Sequence, residues 1–273
     1  MQSEGPHVPV RCDDGRAGAI HERWDPFDMS APYAPIRDHA VIGDGRTVAL
    51  VTRDGVIDWL CLPNLDSPSV FAGLLDANRG GGFALTPDGP HDASRRYLPG
   101  TNVLETTFTT ARGVVRVTDT MTLPGVTLGP ARELVRRVEG LAGTVNMRWT
   151  VEPRFGYGLS ATRVEPRTPF PVATSGSGAV AVCTWDAGSG YCNDRSMGGD
   201  FQVRDGQRAL LVLAAAHQEP LVLPARADVE ARLDATVRFW RPFQGDVLGR
   251  PRSCLPPRRR RAVARPPPVA LAP

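Results

Sequence analysis

From position 35 to about 217, apolar and polar residues alternate in short runs separated by glycine-containing turns. This period of two is the signature of strands with one buried face. Residues 46–53 (RTVALVTR) and 56–62 (VIDWLCL) meet across Asp54-Gly55, two residues that tolerate positive φ, which predicts a hairpin. Residues 101–110 turn at 111–113 into 114–123, and 132–139 turn at Gly140 to Gly143 into 144–155. Residues 178–185, 201–203 and 208–216 complete the strand set. So many strands between hairpin turns cover their apolar faces most simply as two packed sheets, an antiparallel β-sandwich.

Two places depart from plain alternation. Parity puts Asp119 on the same side as the apolar Val117 and Met121. A bulge or a sheet end is the commoner reason for such an acid, and a buried partner the rarer one. The stretch 227–243 (ADVEARLDATVRFWRPF) instead places Val229, Leu233, Val237 and Trp240 on one helical face, with Pro242 as its stop. A second, shorter helical turn is predicted at 69–75 (SVFAGLL), capped by Asp66.

Composition narrows the function classes. In 273 residues there is no lysine, and 28 Gly and 26 Pro argue against a helical bundle. The net charge of +3 comes from the last 28 residues, which hold seven arginines and one aspartate, so the rest of the chain is slightly acidic. That balance predicts no nucleic-acid partner, and a tail arm around Arg258 to Arg261 is the weaker alternative. There is no apolar leader and no aliphatic run near membrane-spanning length, so the chain reads as cytoplasmic with no membrane partner. Residues 1–34 read as a disordered leader, with Met29 an alternative start, and 244–273 as a Pro/Arg-rich disordered tail, with an out-of-frame origin as one explanation. Five scattered cysteines and five scattered histidines predict no metal and no cofactor, and free, mostly buried thiols. A Cys183–Cys192 bond across a hairpin is the minor alternative.

The densest chemistry lies in 42–75. Asp44, Arg46, Asp58, Trp59, Asp66 and Ser67 combine carboxylates with an indole, the equipment of a sugar site that bonds hydroxyls and stacks on pyranose faces. The competing reading gives Asp44 and Asp54 to turns, Asp66 to a helix cap and Trp59 to the core.

The same stretch resembles the opening of the trehalase-like N-terminal domain of glycoside hydrolase family 15, bacterial and archaeal glucoamylases and trehalases. The resemblance runs through IGDGRTVALV (42–51), DGVIDW (54–59) and LPNLDSPSVF (62–71). It continues through RRYLPGTNVLETTF (95–108), VTDTM (117–121), LVRRVEG (134–140) and EPRFGYG (152–158), and reaches Phe239-Trp240. Gly156 and Asn64-Leu65 depart from the family's usual Asp and Arg-Phe.

The resemblance implies an all-β fold, an antiparallel super-β-sandwich (35–226) with one C-terminal linker-type helix (227–243). It also implies a parent activity on α-glucosidic bonds of trehalose, starch or maltooligosaccharides. In such enzymes the two catalytic glutamates stand in a following (α/α)6 barrel with no counterpart in this sequence. Glu105, Glu133 and Glu139 match no catalytic motif, so no catalytic residue is assigned. The expectation is the non-catalytic N-terminal domain of a truncated hydrolase, whose partner is the missing barrel. The six candidates are then barrel-contact or sugar-proximal residues. The alternative is a stand-alone carbohydrate-binding module for α-glucan or trehalose, using Trp59, Trp149 or Trp185.

Overall fold

A computed structural model describes residues 11–12, 33–123 and 132–248. Among them the chain forms β1 (Arg11–Cys12), β2 (Ala40–Gly43), β3 (Val48–Val51), β4 (Val56–Cys61), β5 (Ser69–Phe71) and β6 (Gly82–Pro87). Next come β7 (Asp92–Tyr97), β8 (Leu104–Thr110), β9 (Gly113–Met121) and β10 (Arg132–Glu152). The last strands are β11 (Arg163–Glu165), β12 (Val172–Ser175), β13 (Gly178–Trp185), β14 (Gly190–Cys192), β15 (Met197–Arg204) and β16 (Arg208–His217), followed by α1 (Arg226–Leu248).

The strands make two sheets that share β10. The first runs β2-β3-β4-β6-β10-β15-β14-β1, with β5 pairing the far half of β4, and the second runs β7-β8-β9-β10-β16-β13-β12-β11. Neighbours are antiparallel except β1 and β14. The N-terminal half of β10 pairs β9 and β16, and its C-terminal half pairs β6 and β15. The all-β sandwich with, among the described residues, a single α-helix therefore stands as expected.

The turn expected at Gly140 to Gly143 is instead a bulge inside one 21-residue strand. Glycine is needed there for close approach: a Cβ on Gly140 would lie 2.0 Å from the Arg204 carbonyl oxygen. The bulge bends β10 from one sheet into the other, which a glycine pair in sequence does not distinguish from a turn. The Asp54-Gly55 hairpin forms as expected, with Gly55 at φ +83°.

Ile42, Val51, Ile57, Phe83, Phe108, Val117, Leu134, Trp149 and Leu211 fill the space between the sheets. Strand β16 alternates its apolar residues between two cores. Leu211 and Leu213 face the first, while Leu210 and Val212 join Val135, Cys183, Val229 and Leu233 in a second layer under α1. Burying Val229 and Leu233 contributes roughly 1.5–3 kcal/mol each to docking the helix. Polar bonds fix its position, since Arg232 donates to both oxygens of Glu133 (2.9 and 2.7 Å) and Leu123 N–H donates to Thr236 Oγ1 at 3.0 Å.

Several expectations are corrected. Residues 69–71 are strand β5, followed by tight turns rather than a helix, because Ser69, Val70 and Phe71 are all buried against the first sheet. Helix α1 passes Pro242 and ends at Leu248 instead of stopping at 242–243. Proline removes one ladder bond, to the carbonyl of residue 238, without preventing the bonds of later residues. Asp119 has a buried partner, Arg136, in place of a bulge or sheet end. Within the leader expected to be disordered, Arg11–Cys12 forms β1, in register with Tyr191 and Cys192. The rest of that leader up to position 32 and the tail from 249 lie outside the described residues. Cys192 is disulfide-bonded, against the expectation of free thiols, whereas Cys61 and Cys183 are free and buried, so no Cys183–Cys192 bond forms.

Candidate functional site

The six sequence candidates do not form one constellation. Asp44 organises the turn into β3: its Oδ1 accepts the main-chain N–H groups of Arg46 (2.8 Å) and Thr47 (2.9 Å). Arg46 extends its side chain into solvent, and its carbonyl accepts the Leu65 N–H at 3.1 Å, joining this turn to the next. That second turn is closed by Ser67, whose N–H donates to the Asn64 carbonyl and whose Oγ accepts the Asn64 N–H, both at 3.1 Å. Asp66 is exposed and makes no side-chain hydrogen bond among the described residues; it caps no helix.

Asp58 and Trp59 are consecutive on β4 and so point to opposite faces. Asp58 Oδ2 is 2.9 Å from His39 Nε2, while its Oδ1 is buried without a partner. Burial pushes the Asp58 carboxyl above the ordinary aspartate value, and the hydrogen bond and charge of His39 only partly oppose this. Trp59 is half-buried, with its ring 6.3 Å from Tyr157. Of the other tryptophans offered for sugar stacking, Trp149 is fully buried and donates to the Ala187 carbonyl (3.2 Å), and Trp185 packs edge-on against Phe170.

The structure builds a different concavity nearby, a cleft of about 520 Å³. One wall is Leu62 and Pro68 from the segment joining β4 to β5 with Val70 of β5, and another is Phe155, Gly156, Ser160 and Ala161 from the loop after β10. The β12–β13 turn contributes Ser175 to Gly178, and Arg132 and His217 complete the lining. Loop geometry fixes these walls: the Arg154 N–H donates to the Val70 carbonyl and the Gly156 N–H to the Ser69 carbonyl, both at 2.9 Å. Tyr157, at φ +61°, donates its N–H to Ser69 Oγ at 2.8 Å.

None of the six sequence candidates lines the cleft, but two act on it electrostatically. Burial pushes the Arg132 guanidinium below its ordinary value; Arg46 adds to the depression and Asp44 opposes it. Arg132 is ion-paired through Nη1 to Glu219, whose same oxygen accepts the His217 N–H at 3.0 Å. The lining contains no carboxylate. The acids elsewhere are largely engaged, Asp119 with Arg136, Glu133 with Arg232, Glu105 with Arg96, and Glu139 with Arg208. Among the described residues no group of three or more His, Cys, Asp and Glu is arranged to hold a metal ion. No helix there is long and apolar enough to cross a membrane.

Sequence reasoning missed Arg132, His217 and the three cleft serines, because they come from four separate segments and carry no local spacing. The available signals were Phe155 and Gly156 inside the EPRFGYG run and Leu62, Pro68 and Val70 inside LPNLDSPSVF.

With this geometry in place, similarity to known proteins adds the family. A model described as trehalase-like, N-terminal, matches residues 27–177. A trehalase of Mycolicibacterium smegmatis is 36% identical over 148 residues, 46% of this chain and 21% of that protein. A trehalase of Mycobacterium tuberculosis is 34% identical over 166 residues, 53% and 24% of the two chains. One from Thermoplasma volcanium is 37% identical over 138 residues, covering 49% and 22%. The matched region spans between a fifth and a quarter of these relatives' length.

Proposed function

The chain belongs to the trehalase-like N-terminal domain family, and from that premise we propose that it is the non-catalytic N-terminal domain of a glycoside hydrolase of family 15. The parent enzyme acts on α-glucosidic bonds, with trehalose the first substrate to test, and its bond-breaking carboxyl groups stand in a separate catalytic domain. The observation that carries this reading is the family match over 27–177, beside alignments that take up only 21% and 24% of the two mycobacterial trehalases. The chemistry is consistent with it. Glycoside hydrolysis uses two carboxyl groups roughly 5–9.5 Å apart on either side of the scissile bond. The cleft offers none, and most other buried acids are neutralised by arginine.

The catalytic domain packs, in this reading, over the turns that hold Asp44, Arg46, Asp66 and Ser67. Leu65 is 55% exposed and Tyr157 44% exposed there, apolar surface that a partner would cover. Asn64-Leu65 and Gly156, the positions that depart from the family's pattern, lie on the same rim. Trp59, beside Tyr157, then supports this surface from β4, while Asp58 faces His39 on the other side of the strand.

The test is a glucose-release assay on the purified chain with trehalose and maltose, alongside co-expression with the remainder of the Mycolicibacterium smegmatis trehalase. The chain alone is expected to release no glucose above buffer and to co-elute with the catalytic region. Turnover by the purified chain overturns the non-catalytic assignment, and separate elution overturns the docking.

A further inference from the structure

We infer that the cleft between the 62–70 segment, the 155–161 loop and the β12–β13 turn is a binding site for a neutral gluco-disaccharide. Its volume of about 520 Å³ lies within the roughly 300–1,000 Å³ typical of small-molecule sites. Its chemistry is that of a polyhydroxyl ligand. Ser160, Ser175 and Ser177 line it, and none of their hydroxyls makes a hydrogen bond among the described residues. The His217 ring is likewise unengaged there. These groups both donate and accept, as sugar hydroxyls do.

Phe155 and Leu62 supply apolar surface for the C–H face of a pyranose. Charge excludes the simpler ligands. The Arg132 cation is already offset by Glu219, so the cleft is a poor anion trap, and no carboxylate lines it to draw a cation. The Arg132 guanidinium, held in place by that pair, still has donors for a ligand oxygen.

The choice of sugar as probe rests on the function proposed above; the site itself rests on the cleft. Its test titrates the full 273-residue chain with trehalose, maltose and inorganic phosphate, followed by amide chemical shifts. Ser177→Trp and Ala161→Trp each place an indole on the cleft wall at an exposed position, and a thermal melt checks that they fold. Saturable shifts with trehalose or maltose are expected, with a Kd on the order of 1 mM, weakened at least about tenfold in both variants. Lack of saturation with either sugar, equal affinity in both folded variants, or phosphate binding tighter than sugar each overturns the proposal. Sugar binding without co-elution would keep this site and sink the docking, and co-elution without sugar binding the reverse.

Discussion

Arg136 and Asp119 are direct cross-strand partners on β10 and β9, with Nε 2.8 Å from Oδ1 and neither side chain exposed. Arg136 also crosses the core to the first sheet, donating to the Phe83 carbonyl (2.9 Å) and the Gly55 carbonyl (2.8 Å), with its guanidinium 4.8 Å from the Phe83 ring centre. One side chain thus ties both sheets together and satisfies two backbone acceptors in the hairpin region. Asp119→Ala leaves that cation buried without its counter-charge, and a loss of about 3–5 kcal/mol is expected by urea unfolding. The double substitution Asp119→Leu/Arg136→Met should cost less than the two single changes combined. It strands no charge, but it still takes a donor from the Phe83 and Gly55 carbonyls, of which Gly55 keeps the Leu85 N–H, at a cost of about 1–3 kcal/mol. Additive losses would contradict the coupling.

A second pairing guards an edge. Strand β2 pairs only β3, so its outer groups are open to another chain. The Tyr97 hydroxyl accepts the Val41 N–H at 2.8 Å and donates to the Val41 carbonyl at 2.9 Å, and Asn102 donates to the Gly43 carbonyl at 3.1 Å. Tyr97→Phe is therefore expected to cost about 1 kcal/mol. It should also raise concentration-dependent light scattering, and Tyr97→Phe/Asn102→Ala should raise it further. A variant that stays monodisperse at high concentration would place the protection of this edge elsewhere.

These pairings show which parts of the fold could be read from sequence. Alternation on β9 and the Asp54-Gly55 turn are local and were legible. The continuation of β10 through Gly140 was not, because a bulge and a turn both call for glycine, and only contact with Arg204 separates them. Asp119 could not be given its partner, since Arg136 lies 17 residues away across a strand pair whose register the sequence does not state. The motif of 42–71 was legible as a unit, yet it serves mainly the turns: Asp44 and Ser67 close hairpin ends, and Ser69 holds Tyr157. The cleft escaped because its walls come from separate segments whose small and apolar residues carry no shared spacing in sequence.

Helix docking can be read out through a thiol. Cys183 is buried in the layer with Val229 and Leu233, and burial, with Glu133 nearby, pushes its thiol well above the ordinary value. Arg232→Ala removes two hydrogen bonds from Glu133, an acid 6% exposed in the natural chain, and leaves it the Thr122 hydroxyl. The helix should then open more often, at a cost of about 2 kcal/mol, a pair at the edge of a buried layer being worth less than a fully buried one. Cys183 labelling by a thiol reagent, measured against Cys183→Ser, should quicken by about tenfold or more. Unchanged labelling would mean that the apolar contacts alone hold α1.

The His39–Asp58 pair gives the chain a pH dependence of definite sign. The Asp58 carboxyl is raised above 3.8 in the folded protein because burial outweighs the help of His39. Between 3.8 and that raised value the folded chain binds more protons than the unfolded one, so stability from this group is full below the window and is lost as pH rises through it. Asp58→Asn cannot ionise and escapes that loss. The stability of Asp58→Asn relative to the natural chain should therefore increase as pH is raised across the window and then level off. In a His39→Gln background the increase should be larger, because the charge that lowers the Asp58 value is gone. Urea unfolding at a series of pH values measures both curves, and a relative stability that falls with rising pH would reverse the assignment of burial as the dominant cause.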